Sequence, residues 1–599
     1  LKSLLLLWYR LADESAGRCC TSATRDRKTV TGRCEHEGLS FLTITLPGFG
    51  KDFQKGLDQG WVDRRLFTGF RWKGGLPVFL RGFLDRVFDR NSGLLLDEPC
   101  IDAILAIRQL TLMFGKIEIP CSDTRVRDAM REFIKCEQDV RVADRKRSQS
   151  EMADFKRVSA MLFATAFSEV DRKIYNMEVS PKHGPGHTAD RLKGNEKYRQ
   201  TTWPARLEKI FPSGEFLLPN WRYYDSLERV DILEPEAEIP VRVVSVPKTL
   251  KTPRIIGIEP TAMQYAQQAV LPLILHSLSR DDNLDMMLGF SDQTPNQRMA
   301  REGSCKGTLA TLDLSEASDR VSNQLVRAML SNHPHLHEAV DATRSRKADV
   351  PGHGVVRLSK FASMGSALCF PIEAMVFLTI VFIGLEQGLN RPLRKRDIKM
   401  FRDQVRIYGD DILVPVDMVH PVVDTLHSFG SVVNINKSFW TGKFRESCGK
   451  EYYDGHDVSI VKVRDLFPAR REDATGVISM ISLRNQLYFA GYWGTCAWLD
   501  DKIRDVIRHF PVVLPSSPVH GRHSFLGYEI QKMCDSLHRP LVRGYVENSS
   551  IPSNSLDDVG ALLKFLIKRG GQPSVDIRHL ERSGRPQRVD IKLRMAPPF

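Results

Sequence analysis

The stretch Val405-Arg406-Ile407-Tyr408-Gly409-Asp410-Asp411-Ile412-Leu413-Val414 constrains this chain more than any other. Two β-prone apolar runs flank Gly409-Asp410, which predicts a tight hairpin turning at those two residues. Gly409 can take the positive φ that such a turn needs. Two adjacent carboxylates lifted on apolar strands repel each other, and their pKa values rise unless a cation sits between them. A hard divalent ion such as Mg²⁺ takes carboxylate oxygens and supplies that charge. An acidic surface turn is the other reading of the same residues, and the hairpin alone does not choose.

Length and charge narrow the setting. A chain of 599 residues exceeds one simple core and predicts roughly two to four subdomains. Lysine and arginine outnumber aspartate and glutamate 86 to 73, a formal charge of +13. That excess favours a polyanionic partner, nucleic acid before membrane, but also fits a basic protein with no such partner. The 11 cysteines form no CxxC pair and are spread thinly, which fits reduced thiols in a cytosolic compartment and gives no support for a zinc site. The apolar N-terminus lacks an h-region with a cleavage site and does not read as a signal peptide. Ala367 to Leu385 is long enough to resemble a membrane span, but Pro371 and Glu373 interrupt it, so it predicts a buried core helix.

Taken in order, residues 123 to 175 read as helical and highly charged, with Arg141, Arg145, Lys146 and Arg147 on a solvated face. Residues 179 to 220 read as a long loop or insertion within reach of RNA. Residues 239 to 260 predict two strands joined by a loop, with Lys248, Lys251 and Arg254 at three-residue intervals. Such cations suit a triphosphate, or are solvated strand residues. Thr308 to Asp313 predicts a strand ending in a carboxylate, and Asp319 behind it is either a helix cap or a substrate contact. Ser363-Met364-Gly365-Ser366 is a small-residue loop that permits close backbone approach to a ligand. Beyond the Asp410-Asp411 hairpin come a helix over 421–429, a strand over 432–439 carrying Lys437, and a second hairpin over 444–455. The chain is mostly helical from 465, and its tail from 570 is basic and partly extended.

This ordered set resembles motifs F, A, B, C, D and E of the RNA-dependent RNA polymerase palm, and in particular the replicase catalytic (beta) subunit of levivirus-type RNA bacteriophages. Val246-Pro247-Lys248, Lys251-Thr252, Arg254 and Ile258-Glu259-Pro260 match the fingers motif. Asp292-Gln293-Thr294 with Asn296-Gln297-Arg298, then Asp313-Leu314-Ser315 with Ala317-Ser318-Asp319, match the run into motif A. Ser363-Met364-Gly365 matches motif B, Tyr408-Gly409-Asp410-Asp411 motif C, and Phe444 to Lys450 motif E. The family commonly has Asn where this chain has Ser366, and that Asn helps hold the carboxylate that reads the ribose.

The resemblance implies an α+β right-hand fold with an antiparallel-sheet palm. Residues 1–307 would form the N-terminal region and fingers, 308–464 the palm, and 465–599 the thumb and C-terminal region. It implies template-directed RNA synthesis from ribonucleoside triphosphates, replicating a positive-strand RNA phage genome in the cytoplasm of the infected bacterial host. Asp313, Asp410 and Asp411 would hold two Mg²⁺ ions (or Mn²⁺), and Lys437 would act as general acid if burial lowers its pKa. Lys248, Lys251, Arg254, Asp319, Ser363, Gly365 and Ser366 would contact the nucleotide, and Arg445 and Lys450 the growing RNA. Host elongation factors Tu and Ts and a ribosomal RNA-binding protein are the partners it implies, with no membrane. A reverse transcriptase shares the palm, but such enzymes carry a bulky aromatic shortly after the first Asp, and residues 314–322 contain none. A non-catalytic RNA-binding protein explains the charge but not the carboxylates on two strand ends.

Overall fold

Two apolar cores organise the chain in a computed structural model that describes residues 1–568, 586 and 588–599. One core runs through residues 155–433, and the other joins residues 4–117 to 439–591. The elements that position the site are, in chain order, α1 (Leu46–Gln59), α2 (Asp123–Lys146), α3 (Gln149–Tyr175), β1 (Val241–Val246), β2 (Arg254–Ile258), α4 (Thr261–Ser279), α5 (Thr294–Lys306) and β3 (Leu309–Ser315). They continue with β4 (Lys347–Val350), β5 (Gly354–Arg357), α6 (Cys369–Leu389), β6 (Arg406–Tyr408), β7 (Asp411–Pro415), β8 (Val432–Val433), β9 (Phe444–Ser447) and β10 (Lys450–Tyr453).

The architecture is α+β. The central sheet runs in the order β6-β7-β3-β8 and every pairing in it is antiparallel. Its strands are apolar where they cross the middle: Ala310, Leu312, Ile412, Leu413 and Val414 are all buried. A second sheet, β2-β1-β4-β5, carries the basic strand pair. Helix α6 is among the described residues the one helix long and apolar enough to cross a membrane, yet 89% of its apolar window is buried inside the protein. It is a core helix, and Asn390 ends it in the left-handed conformation at φ 50°. The charged stretch from 123 splits into α2 and α3 because Ser148 and Glu151 form a capping box that starts a new helix.

Several sequence expectations change here. The strand expected over 432–439 is only Val432–Val433, because Asn434 bonds back to Asp313 through both its backbone and its side chain and folds 434–437 into a turn. Residues 179–220 are packed rather than open. Trp203, Phe211 and Phe216 enter the first core, and buried Lys197 donates to the carbonyls of Gly184, at 2.7 Å, and Gly186. Arg147 is not solvated: its buried guanidinium pairs with Asp144 at 2.6 Å and lies over Phe429. In the tail, Arg588–Ala596 forms a strand against Pro540–Ser550, and residues 570–585 and 587 lie outside the described residues.

Candidate active site

Register builds the site. Tyr408 pairs with Asp411, so the hairpin turns on Gly409 and Asp410 alone. Gly409 has φ +61°, and a Cβ there would meet the Phe370 ring at 2.6 Å, so both conformation and space require glycine. On the other side β7 pairs with β3, setting Asp411 directly opposite Asp313. A slip of one residue would turn Ile412 and Val414 out of the core, so the apolar alternation fixes which carboxylates meet.

The three carboxylates share one electrostatic problem. Enclosure by protein, and then Asp313, raise the pKa of Asp410. Burial, followed by Asp410, Glu446 and Asp313, pushes Asp411 up to about 7 even though the Cys448 N–H donates to its Oδ2 at 3.2 Å. Glu446 on β9 is raised as well, by burial and by Glu451. Asp313 is the carboxylate with side-chain partners: Asn434 Nδ2 donates to Oδ2 and Lys437 Nζ to Oδ1, both at 2.9 Å. Among the described residues no three such side chains converge into a ready-made metal cage. The donor set nevertheless fits a hard cation, being all carboxylate oxygen with an excess of negative charge that raises Asp410 and Asp411.

Cations face these acids. Lys248, Lys251 and Arg254 are exposed and make no ion pair among the described residues. Their loop is held from below, since Arg125 of α2 donates to the Leu250 carbonyl at 2.5 Å and the Thr252 N–H donates to Thr249 Oγ1 at 3.1 Å. Lys248 is lowered by desolvation and by Arg254 and Lys437, while Asp410 and Asp313 oppose that shift. Lys51 of α1 is likewise lowered by desolvation, Lys251 and Lys437. Lys51, Lys248 and Asp410 are all exposed to solvent, and both lysines face Asp313. Lys437 differs. Burial would lower its pKa, but Asp313 and Glu446 outweigh burial and raise it, reversing the expected lowering.

The sugar side is organised separately. Asp319 lies in a short turn, Ser318–Arg320, and does not cap the helix behind it; Ser322 does, accepting the Gln324 N–H at 3.0 Å. Asp319 Oδ1 accepts from Lys360 Nζ at 2.7 Å. Ser366 turns away to Gln267 Oε1 at 3.1 Å. Gly365 has φ +132°, and a Cβ there would lie 1.9 Å from the Gly257 carbonyl oxygen. The small-residue loop therefore closes on strand β2, where the Gly257 N–H donates to Met364 at 2.9 Å, and the close approach is to backbone rather than to an open ligand cavity. Ser363 is buried beside it, its hydroxyl unpartnered among the described residues.

Arg445 corrects its expectation. Its side chain is wholly buried and donates to the carbonyls of Leu309, Gly442 and Phe444 at 2.6, 2.6 and 2.7 Å, so it ties β9 to β3 and cannot lie against RNA. Lys450 is at the surface and pairs with Asp457 at 2.7 Å. Sequence reasoning missed Lys51, Asn434, Glu446, Lys360 and Glu373. The last is buried in α6 with its pKa raised by burial, Asp410 and Asp319, so it lies within reach of both sides of the site.

Residues 236–518 match the family described as RNA replicase, beta-chain. The chain is similar to the replicase beta chains of RNA phages. The RNA-directed RNA polymerase subunit beta of Enterobacteria phage SP is 33% identical over 266 residues, 44% of this chain and 42% of that one. The RNA-directed RNA polymerase beta chain of Enterobacteria phage fr is 31% identical over 305 residues, 50% of this chain and 49% of that one. The match thus spans less than half the length of either relative. Among solved structures, the RNA-dependent RNA polymerase of a human picorbirnavirus is similar at 11% identity and a TM-score of 0.33, over 44% of this chain and 56% of that one. The replicase-like segment holds Asp313, Asp410, Asp411, Lys248 and Lys360, while Lys51 and all of α2 lie outside it.

Proposed function

We propose that this protein is the catalytic chain of an RNA phage replicase, making RNA on an RNA template from ribonucleoside triphosphates. One observation carries the reading: the strand register that sets Asp313 opposite Asp411, with Asp410 on the adjoining turn. Asp313, Asp410 and Asp411 would hold Mg²⁺, or Mn²⁺, in two sites. When bound, such ions supply charge stabilisation to the entering and leaving oxygens of an in-line displacement. Lys248, Lys251 and Arg254, exposed and without ion pairs among the described residues, bind and orient the triphosphate. Lys437 keeps a proton at Nζ beside Asp313, where it neutralises the leaving pyrophosphate or donates to it. Asp319 faces the ribose. In this reading the central sheet is the palm, the basic strand pair belongs to the fingers, and residues from 465 form the thumb.

The chain would act inside the infected bacterium. Its expected partners are RNA, nucleotides and the host factors that the resemblance implies, namely elongation factors Tu and Ts and a ribosomal RNA-binding protein. The test is template-dependent RNA synthesis by the purified chain with Mg²⁺, with and without bacterial extract. Ribonucleotide incorporation that is lost on chelation is the expected result. Incorporation of deoxyribonucleotides alone would mean a reverse transcriptase, and no incorporation under either condition would sink the assignment.

A further inference from the structure

Lys360 has no exposed side-chain surface, yet it carries an ammonium group. Burying such a charge is costly unless several partners share it. Three do. Its Nζ lies 2.7 Å from Asp319 Oδ1, 3.6 Å from Glu137 Oε1, and 3.5 Å from the centroid of the Phe133 ring. Glu137 and Phe133 both belong to α2, which lies outside the replicase-like segment.

The grip of α2 extends beyond this lysine. Glu137 Oε2 accepts the Ser359 N–H at 2.7 Å, and Arg141 Nε donates to Ser359 Oγ at 2.8 Å. Cys136 Sγ donates to the Asp319 carbonyl at 3.5 Å, and Asp139 pairs with Arg320 at 3.3 Å. One helix therefore fixes both the turn that carries Asp319 and the segment after β5 that carries Lys360. Asp319 itself is 23% exposed. Its Oδ1 is taken by Lys360, while its Oδ2 accepts no hydrogen bond among the described residues. That leaves one carboxylate oxygen held from behind and one presented outward.

We propose that Lys360, braced by Glu137 and Phe133 of α2, is the positioning residue that aims Asp319 at the ribose 2′-hydroxyl. Selection of ribose over deoxyribose is then set by a helix outside the replicase-like segment. The inference rests on the polymerase reading above. It also accounts for Ser366: a short side chain suffices there because Asp319 is already held, and Ser366 is engaged with Gln267.

The experiment compares ATP with 2′-deoxy-ATP on the full chain with Mg²⁺. Lys360→Met should lower the ribo-to-deoxy ratio of kcat/KM at least about tenfold, because a site built to bond a substrate hydroxyl discriminates through that bond. The loss should fall on the ribonucleotide KM and leave deoxynucleotide incorporation nearly unchanged. Lys360→Arg should keep most of the ratio, and Glu137→Gln should shift it less than Lys360→Met does. A folded Lys360→Met that loses both sugars equally, or keeps the wild-type ratio, overturns the proposal. If Lys360→Met does not fold, an unchanged ratio in folded Glu137→Gln overturns it instead. Wild-type protein that incorporates nothing counts against the polymerase reading alone. Equilibrium binding of ATP against 2′-deoxy-ATP then reads Lys360 without turnover, with an unaltered preference in the variants as the contrary result.

Discussion

Asp313 and Asp319 sit on either side of one strand end, and a lysine holds each: Lys437 at 2.9 Å and Lys360 at 2.7 Å. The distances are nearly equal, but the surroundings are not. The Lys437 side chain is 46% exposed, whereas Lys360 is fully enclosed. An exposed pair is worth only about 0.2–1 kcal/mol and exchanges partners easily. Removing one member of a buried pair costs about 3–5 kcal/mol, because the other charge is left stranded. Water access thus divides the two lysines: Lys437 can change partners, and Lys360 cannot.

The largest effect belongs to the exchangeable side. Asp410→Asn should reduce nucleotide incorporation by several orders of magnitude in purified protein, and retained incorporation would remove Asp410 from the chemistry. Next is stability. Lys360→Met should cost about 3–5 kcal/mol and lower the thermal midpoint clearly. Lys437→Met should cost less, because the Lys437 side chain is partly open to water. Equal shifts in the two variants would erase the contrast between the pairs.

The pH dependence follows from Asp411, whose pKa in the fold, about 7, lies above the ordinary carboxylate value. A raised carboxyl contributes stability that is complete below its unfolded pKa and is lost as pH rises through 7. The metal-free protein should therefore melt lower at pH 8 than at pH 5.5, and Mg²⁺ should raise the midpoint more at pH 8. Asp411→Asn should flatten both trends; a midpoint independent of pH in the unaltered protein would contradict this account. A smaller effect is expected for Lys437→Leu in single-turnover rate against pH, where an unchanged profile excludes it as a general acid. Smallest is Lys450→Ala, which removes a surface pair with Asp457 and should stay within about 0.5 kcal/mol by denaturant titration.

Much of the exchangeable side could be read in the chain itself. The two-residue turn and the basic strand pair follow from local alternation and turn chemistry, and the structure has both, whereas the strand expected to end at Asp313 runs on to Ser315. The buried side was not legible. Glu137 stands more than two hundred residues before Lys360, and a charged helix gives no sign of which residues it turns inward. Arg445 failed for the same reason from the opposite direction. An arginine next to a hairpin reads as a hand for RNA, but here its guanidinium is spent on backbone carbonyls that only tertiary packing brings together. Lys437 was found, but its pKa direction depended on Asp313 and Glu446, neighbours that sequence cannot weigh against burial.

The second core has a consequence in time. Residues 4–117 complete their apolar packing only with 439–510 and the closing strands, as where Asp58 of α1 accepts the N–H groups of Thr441 and Gly442. On a ribosome adding ~5–20 residues per second, the roughly 320 residues between the two halves take about 15–65 s to make. Through that interval the first-made part of the chain lacks the later partners of residues such as Arg108, which pairs with Glu451 and lies over Phe444. Its yield should therefore depend on how well the growing chain is shielded during synthesis.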